Sequence, residues 1–221
     1  MTVALEREKR LAAEAAAELV EDGMRIGLGT GSTVAYLLSA LARRRLRITC
    51  IATSPHTELT ARELGLVVNS FESIDRLDLS IDGADQITTE GWLNKGRGGA
   101  LTREKVVAAS SERFVIIADS RKLVDELCPP VPVELLSFGI SATLRRLSFT
   151  NIRDPLGGSR SPDGGVIADY LGNFTDPRQL MNQLSTTPGV IEHGLFPPEL
   201  VHEIFICSGE TITKTTRSES P

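Results

Sequence analysis

Met24-Arg25-Ile26-Gly27-Leu28-Gly29-Thr30-Gly31-Ser32-Thr33 decides the fold. Its first half is a short apolar run of the length of a buried strand, and from Thr33 to Leu46 apolar residues recur at helical spacing. Strand, glycine-rich turn and helix in that order make half of a βαβ unit. The pattern extends in both directions. Leu5, Ala12, Ala16, Leu19 and Val20 place a helix upstream, stopped at Gly23. Downstream come a strand over Arg47–Ala52 and a helix from Thr57 to Leu64, capped by Ser54 and closed by Gly65. Strands follow at Leu66–Val68 and Leu77–Ile81. A helix over Leu101–Ala109 then leads into Phe114-Val115-Ile116-Ile117-Ala118, the most strand-like run of the chain. This alternation predicts an α/β protein with a doubly wound, mainly parallel, Rossmann-like sheet.

The composition changes at Cys128-Pro129-Pro130-Val131-Pro132, where dense prolines mark a crossing between domains. Beyond it the pattern gives a strand at Val133–Leu136, a helix over Ile140–Leu147 and a Gly/Pro/Ser-rich stretch from Pro155 to Gly165. A strand at Val166–Tyr170, a helix from Pro177 to Leu184 capped by Asp176, and a strand at Val190 and Ile191 complete a small α+β appendage. Glu203–Cys207 and Thr211–Lys214 read as strands returning to the main sheet. The expected division is therefore residues 1–128 plus 200–221 as a catalytic α/β domain and 129–199 as a smaller α+β domain. Arg217 to Pro221 reads as a frayed tail.

The chain has 221 residues, with 24 Lys+Arg against 29 Asp+Glu and a net charge of −5, which argues against a nucleic-acid partner. Hydrophobic residues at 41% and charged residues at 24% describe an ordinary globular core rather than a disordered chain. No run is apolar and long enough to span a membrane, and the N-terminal charges do not fit a secretory signal. Cys50, Cys128 and Cys207 show no metal-ligand spacing, and an odd number of cysteines reads as reduced thiols in a cytoplasm.

Three loops carry the chemistry. In open parallel sheets ligands bind beyond the carboxyl ends of strands, and all three loops are read at such ends. Gly27–Thr33 offers backbone amides at a helix start, with the hydroxyls of Thr30, Ser32 and Thr33 around Gly31, a cradle for one phosphate. It is neither a GxGxxG dinucleotide turn, since position 32 is serine and the second strand ends Ala52-Thr53-Ser54, nor a P-loop, since no lysine follows. A merely tight turn remains the plain alternative. Asp82-Gly83-Ala84-Asp85 puts two carboxylates at a strand end, for acid–base work or as a simple Asx turn. His56, His193 and His202 are scattered, so no metal site is expected. Lys95-Gly96-Arg97-Gly98-Gly99 precedes a helix that carries Glu104 in its first turns, where that carboxylate can face a cleft or belong to a solvated charged face. Lys122 closes a further strand end. On one rim, these groups suit a small phosphorylated sugar and proton transfer, with no cofactor.

At these residues the sequence resembles ribose-5-phosphate isomerase of type A. The matching motifs are GTGST (Gly29–Thr33), DGAD (Asp82–Asp85), KGRGGALTREK (Lys95–Lys105) and the segment ADSRK ending at Lys122. Weaker agreement runs through Pro130–Glu134, Asp163–Asp169 and Pro188–Phe196, in order, over nearly the whole chain. The resemblance implies interconversion of D-ribose 5-phosphate and D-ribulose 5-phosphate in the non-oxidative pentose phosphate pathway, by a homodimer or homotetramer. It implies Glu104 as general base and Thr30–Thr33, Asp82–Asp85, Lys95–Gly98 and Lys122 as the substrate-binding set. Lys95 and the loop amides then suit the stabilisation of an oxyanion, and one of the two aspartates, Asp82 ahead of Asp85, can assist ring opening. The family loop is commonly KGGG; here Arg97 interrupts the glycines, reaching phosphate or solvent. The TDNGN-like turn of relatives reads Ser161-Pro162-Asp163-Gly164-Gly165.

A sugar-phosphate sensor of a transcription regulator is the rival from another class. It would need a DNA-binding module, for which a helix starting within ten residues of Met1 leaves no room. A sugar-phosphate deaminase or lactonase of related fold would lack KGRGGALTREK.

Overall fold

The computed structural model describes residues 3–153 and 160–217, so the expectations for residues 155–159 and 218–221 lie outside the described residues. In chain order the regular elements begin with α1 (Val3–Ala17), β1 (Arg25–Leu28), α2 (Ser32–Arg44), β2 (Thr49–Ala52), α3 (Pro55–Glu63) and β3 (Leu79–Asp82). Next come β4 (Gln86–Thr88), β5 (Leu93–Asn94), α4 (Leu101–Ala109), β6 (Phe114–Asp119), β7 (Leu123–Val124), β8 (Val131–Leu135) and α5 (Ile140–Arg146). The remainder is β9 (Thr150–Ile152), β10 (Val166–Tyr170), α6 (Pro177–Ser185), β11 (Val190–His193), β12 (Leu195–Phe196), β13 (Glu203–Ser208) and β14 (Thr211–Thr216).

Contacts divide the chain into two compact units: Met1–Ala84, Arg103–Leu123 and Glu199–Pro221 in the first, Asp85–Thr102 and Val124–Pro198 in the second. Residues 85–102, assigned from the sequence to the larger domain, group with the second unit.

The first unit holds a six-stranded sheet in the order β14-β13-β6-β3-β1-β2. All its pairings are parallel except β13 with β14. Helices cross between its parallel strands, as the alternation of periods predicts. The central strands β1, β3 and β6 are short, mostly apolar runs buried on both faces, which is what a sheet covered by helices requires. Ala12, Ala13 and Ala16 of α1 and Leu37, Leu38 and Leu41 of α2 pack with Ile26, Ile81, Val115 and Phe205 in one cluster. Small alanines let α1 lie close, and each fully buried Leu, Ile or Phe contributes about 1.5–3 kcal/mol. Ser54 caps α3 as expected, its hydroxyl accepting the Thr57 amide at 3.2 Å, with Pro55 in the first turn.

Register sets the rim. Leu28 of β1 lies opposite Ala52 of β2 and Ile81 of β3, and Asp82 lies opposite Ile116 of β6. The loops after β1 and β3 therefore leave the sheet at the same level.

The second unit contains an antiparallel sheet in the order β11-β8-β10-β9, with α5 and α6 in the connections. Val131, Val133, Leu135, Val166 and Ala168 from its strands meet Leu180 and Leu184 of α6. Asp176 caps α6 by accepting the Arg178 and Gln179 amides at 2.9 and 3.1 Å. In a further small sheet β5 pairs antiparallel with β12 and β4.

Three expectations need correction. Leu66–Val68 is not a strand: the segment makes a single bridge, Val68 to Cys50, before the chain enters a 3₁₀ turn at Phe71–Ser73. The sheet containing β4, β5 and β12 was not anticipated, because strands of two or three residues carry no readable period. The loop beginning at Lys95 follows β5 of that sheet, and so does not sit at the end of a strand of the main sheet. Among the described residues no helix is long and apolar enough to cross a membrane.

Candidate active site

In the first unit, the turn after β1 is built on Asp82. Its Oδ1 accepts the amides of Thr30 at 3.1 Å and Gly83 at 2.7 Å, so one buried carboxylate ties the GTGST and DGAD segments together. Gly29 allows the approach. Its amide donates to the Ile81 carbonyl at 3.0 Å, and a Cβ there would stand 1.9 Å from Asp82 Oδ1. Hydroxyls complete the turn: Thr30 Oγ1 lies 2.8 Å from Thr53 Oγ1, and Thr57 Oγ1 donates to the Gly29 carbonyl at 2.9 Å. Gly31 stands at the N-cap of α2 with no side-chain cap, leaving the first-turn amides of Ser32 and Thr33 to a helix of 13 residues. That end carries the positive pole of the helix dipole.

One functional candidate escaped the sequence reading. Lys9 of α1 is buried, and its Nζ donates to Ser32 Oγ at 3.0 Å as well as to Glu6 Oε1 at 3.0 Å. Tyr36 holds the other Glu6 oxygen at 2.8 Å. The signal was present: position 9 lies three residues before Ala12 and seven before Ala16, on the face that packs, where an unpartnered lysine would be costly.

Glu104 lies in the first turn of α4 and is only 3% exposed, which excludes the solvated-face reading of Arg103-Glu104-Lys105 for that residue. Lys122 ends the 3₁₀ turn after β6 and is half-buried.

In the second unit, Asp85 and the Lys95 loop come together. Asp85 Oδ2 accepts the Arg97 amide at 3.1 Å, and the Asp85 amide donates to Asn94 O at 2.8 Å. Lys95 is buried; its amide bonds Gly194 O at 2.8 Å and its ammonium lies 5.4 Å from the centre of the Phe196 ring. Gly96 takes φ +101°, a left-handed conformation suited to glycine, and its carbonyl accepts the Gly99 amide at 3.0 Å. The Arg97 side chain is exposed and lines a cavity of about 300 Å³ with Asp85, Asn94, Arg153 and Asp169. Just beyond the loop, buried Glu134 accepts the hydroxyls of Thr102 and Ser161, each at 2.5 Å, fixing the first residues of α4 and the SPDGG turn.

Of the DGAD segment, Asp82, Gly83 and Ala84 belong to the first unit and Asp85 to the second. Two of the three histidines serve the scaffold: buried His193 bonds Ser185 and the Leu195 amide, and His202 Nδ1 accepts the Phe114 amide at 3.1 Å, while His56 is exposed. Among the described residues no three His, Cys, Asp or Glu are grouped to hold a metal ion.

The family model described as ribose 5-phosphate isomerase A (phosphoriboisomerase A) matches residues 49–211. The chain belongs to this family. Ribose-5-phosphate isomerase A of Sphingopyxis alaskensis is 41% identical over 223 residues, covering 96% of this chain and 97% of its own. The crystal structure of ribose 5-phosphate isomerase A from Neisseria gonorrhoeae superposes with a TM-score of 0.90 at 31% identity, covering 96% of this chain and 97% of that one. A D-ribose-5-phosphate isomerase solved in complex with phospho-erythronic acid gives a TM-score of 0.89 at 34% identity, covering 98% and 100%. These neighbours share the Rossmann-like α/β architecture. A model described as the DeoR C terminal sensor domain matches residues 5–68. That stretch takes in the Gly27–Thr33 turn but ends before Asp82, Lys95 and Glu104, so the sensor likeness covers the first βα units of the ribose-5-phosphate isomerase A fold and none of the residues expected to be catalytic.

Proposed function

We propose that this chain interconverts D-ribose 5-phosphate and D-ribulose 5-phosphate through an enediolate, with Glu104 as the base. The buried position of Glu104 at the start of α4, within a chain of the ribose-5-phosphate isomerase A family, carries the reading. Glu104 removes the proton from C2 of the open-chain aldose, and the electron pair forms a C1–C2 double bond as the aldehyde oxygen becomes negative. The 2-hydroxyl proton passes to O1, Glu104 returns its proton to C1, and the ketone is left at C2. No atom is gained or lost, and in this proton-transfer route a carboxylate shuttle and donors to the oxyanion do the work that a metal does in a hydride shift.

We assign the Lys95 ammonium and the amides of Gly96 and Gly98 to the developing charge, where one well-placed donor is worth about 3–4 kcal/mol; the Arg97 amide is already taken by Asp85. Thr30, Gly31, Ser32 and Thr33 hold the phosphate at the α2 N-terminus with Lys9 and Lys122 as cations. Asp82 keeps that cradle in shape, and Asp85 assists opening of the furanose ring while holding the Arg97 amide. Phospho-erythronic acid, bound by a structural neighbour, is a four-carbon phosphate whose planar carboxylate imitates an enediolate. The resemblance to the family further supports a homodimer or homotetramer acting in the cytoplasm.

The test is incubation of the purified chain with ribose 5-phosphate while ketose formation is followed, before and after dialysis against EDTA. Equal ketose production in both samples is expected. No ketose overturns the activity, and a loss restored by one divalent metal overturns the metal-free mechanism.

A further inference from the structure

Arg153 directly follows β9, and its guanidinium divides its donors between two tasks. Nε and Nη2 meet the Asp169 carboxylate side on, at 2.9 and 2.5 Å. Nη1 turns the other way and donates to the main-chain carbonyls of Arg97 at 2.7 Å and Gly96 at 3.3 Å. Asp169 is mounted on β10, which pairs with β9 through Asp169 opposite Asn151. The two side chains are 23% and 20% exposed, so both are largely shielded from water. A half-buried bidentate pair between one strand and the end of its neighbour is a firm mount, and this one reaches a glycine-rich loop with little stiffness of its own.

A trans peptide is planar, so fixing the direction of a carbonyl fixes the amide on its far side. The Gly96 carbonyl shares a peptide with the Arg97 amide, and that amide is held by Asp85 at 3.1 Å. Arg153 and Asp85 therefore grip opposite edges of one peptide plane. The Arg97 carbonyl shares the next peptide with the Gly98 amide, which must point away from the guanidinium. We propose that Arg153, braced by Asp169, is a positioning residue for the isomerase reaction: it holds the Gly96 and Arg97 peptides so that the Gly98 amide stands ready for the negative oxygen of the enediolate. The inference rests on the assignment of Lys95–Gly98 to the substrate. Donors already aligned need no reorientation as charge develops, whereas a loop able to flip its peptides must be realigned at each turnover. Lysine is no substitute, because one ammonium lacks the planar fork that spans a carboxylate and two carbonyls.

Steady-state kinetics with ribose 5-phosphate on the parent, Arg153→Ala, Arg153→Lys and Asp169→Asn, each with thermal unfolding, test this. We expect kcat to fall about 10- to 100-fold in Arg153→Ala with a smaller change in KM, and Arg153→Lys to recover little of it. Added methylguanidinium should restore part of kcat to Arg153→Ala in a saturable way. Asp169→Asn, which loosens the brace without removing the guanidinium, should lie between the parent and Arg153→Ala, and it decides the matter if the alanine variant does not fold. Unchanged kcat in a folded variant, or a loss that follows the folded fraction and ignores methylguanidinium, overturns the positioning role. An inactive parent overturns the activity itself and this inference with it, a result distinct from an active parent with indifferent variants.

Discussion

Gly29 and Asp82 occupy space that only one side chain can fill: a Cβ on Gly29 would lie 1.9 Å from Asp82 Oδ1 and 2.0 Å from its Cγ. Asp82 is 2% exposed and already binds the Thr30 and Gly83 amides, so it has no open direction in which to retreat. Gly29→Ala should therefore cost about 1–3 kcal/mol of stability, as overpacking does, and about 10²-fold in kcat/KM through the displaced phosphate turn. Urea denaturation and steady-state kinetics measure both. Parent-like values would show that the two loops are not interlocked.

Glu104→Gln keeps the shape of the side chain and removes its basicity. Turnover should fall by about 10²–10⁴-fold with KM changed little. Isotope exchange from solvent into C2 of the sugar phosphate should fall in parallel. Near-normal exchange would remove Glu104 from the proton transfer.

Burial pushes the Cys50 thiol up to about 12 and raises Cys207 as well, whereas Cys128 is exposed. A thiol reagent at pH 8 should modify one cysteine quickly in the native protein and three after denaturation. Peptide mapping should place the fast label on Cys128, and rapid labelling of Cys50 would contradict the packed interior of β2.

Glu8 of α1 is held below the usual carboxylate range by the Gly209 and Ser120 amides, at 2.8 and 3.0 Å, with the Ser120 hydroxyl at 2.8 Å. A carboxylate lowered in the native state contributes stability that is complete above its unfolded value near 4.5 and is lost as pH falls through the native one. Glu8→Gln should therefore be less stable than the parent at pH 7, with the gap closing between pH 5 and pH 3. Urea midpoints across that range measure it, and a gap independent of pH would show that the charge of Glu8 is not what matters.

Much of this was legible in the residues because each feature had a local cause. The Leu101–Ala109 helix, the Val166–Tyr170 strand and the Ser54 and Asp176 caps follow from spacing and capping chemistry, and the structure places each as read. Strands such as Leu93–Asn94 and Thr150–Ile152 were not legible, because pairing across the chain and not local pattern creates them. For the site, glycine and charge motifs pointed to the loops after β1 and β3. Lys9 and Arg153 stayed hidden: neither lies in a glycine-rich motif, and each gains its place through a tertiary partner, Ser32 for one and Asp169 for the other.

The strand order has an outcome for biosynthesis. β6 is buried along its whole length and is flanked by β3 and β13, yet the residues of β13 follow it by more than eighty positions. While the ribosome is still making the intervening antiparallel unit, Phe114-Val115-Ile116-Ile117 presents a naked, sticky margin to the cell. A nascent chain stalled in that interval keeps this edge uncovered until β13 is made.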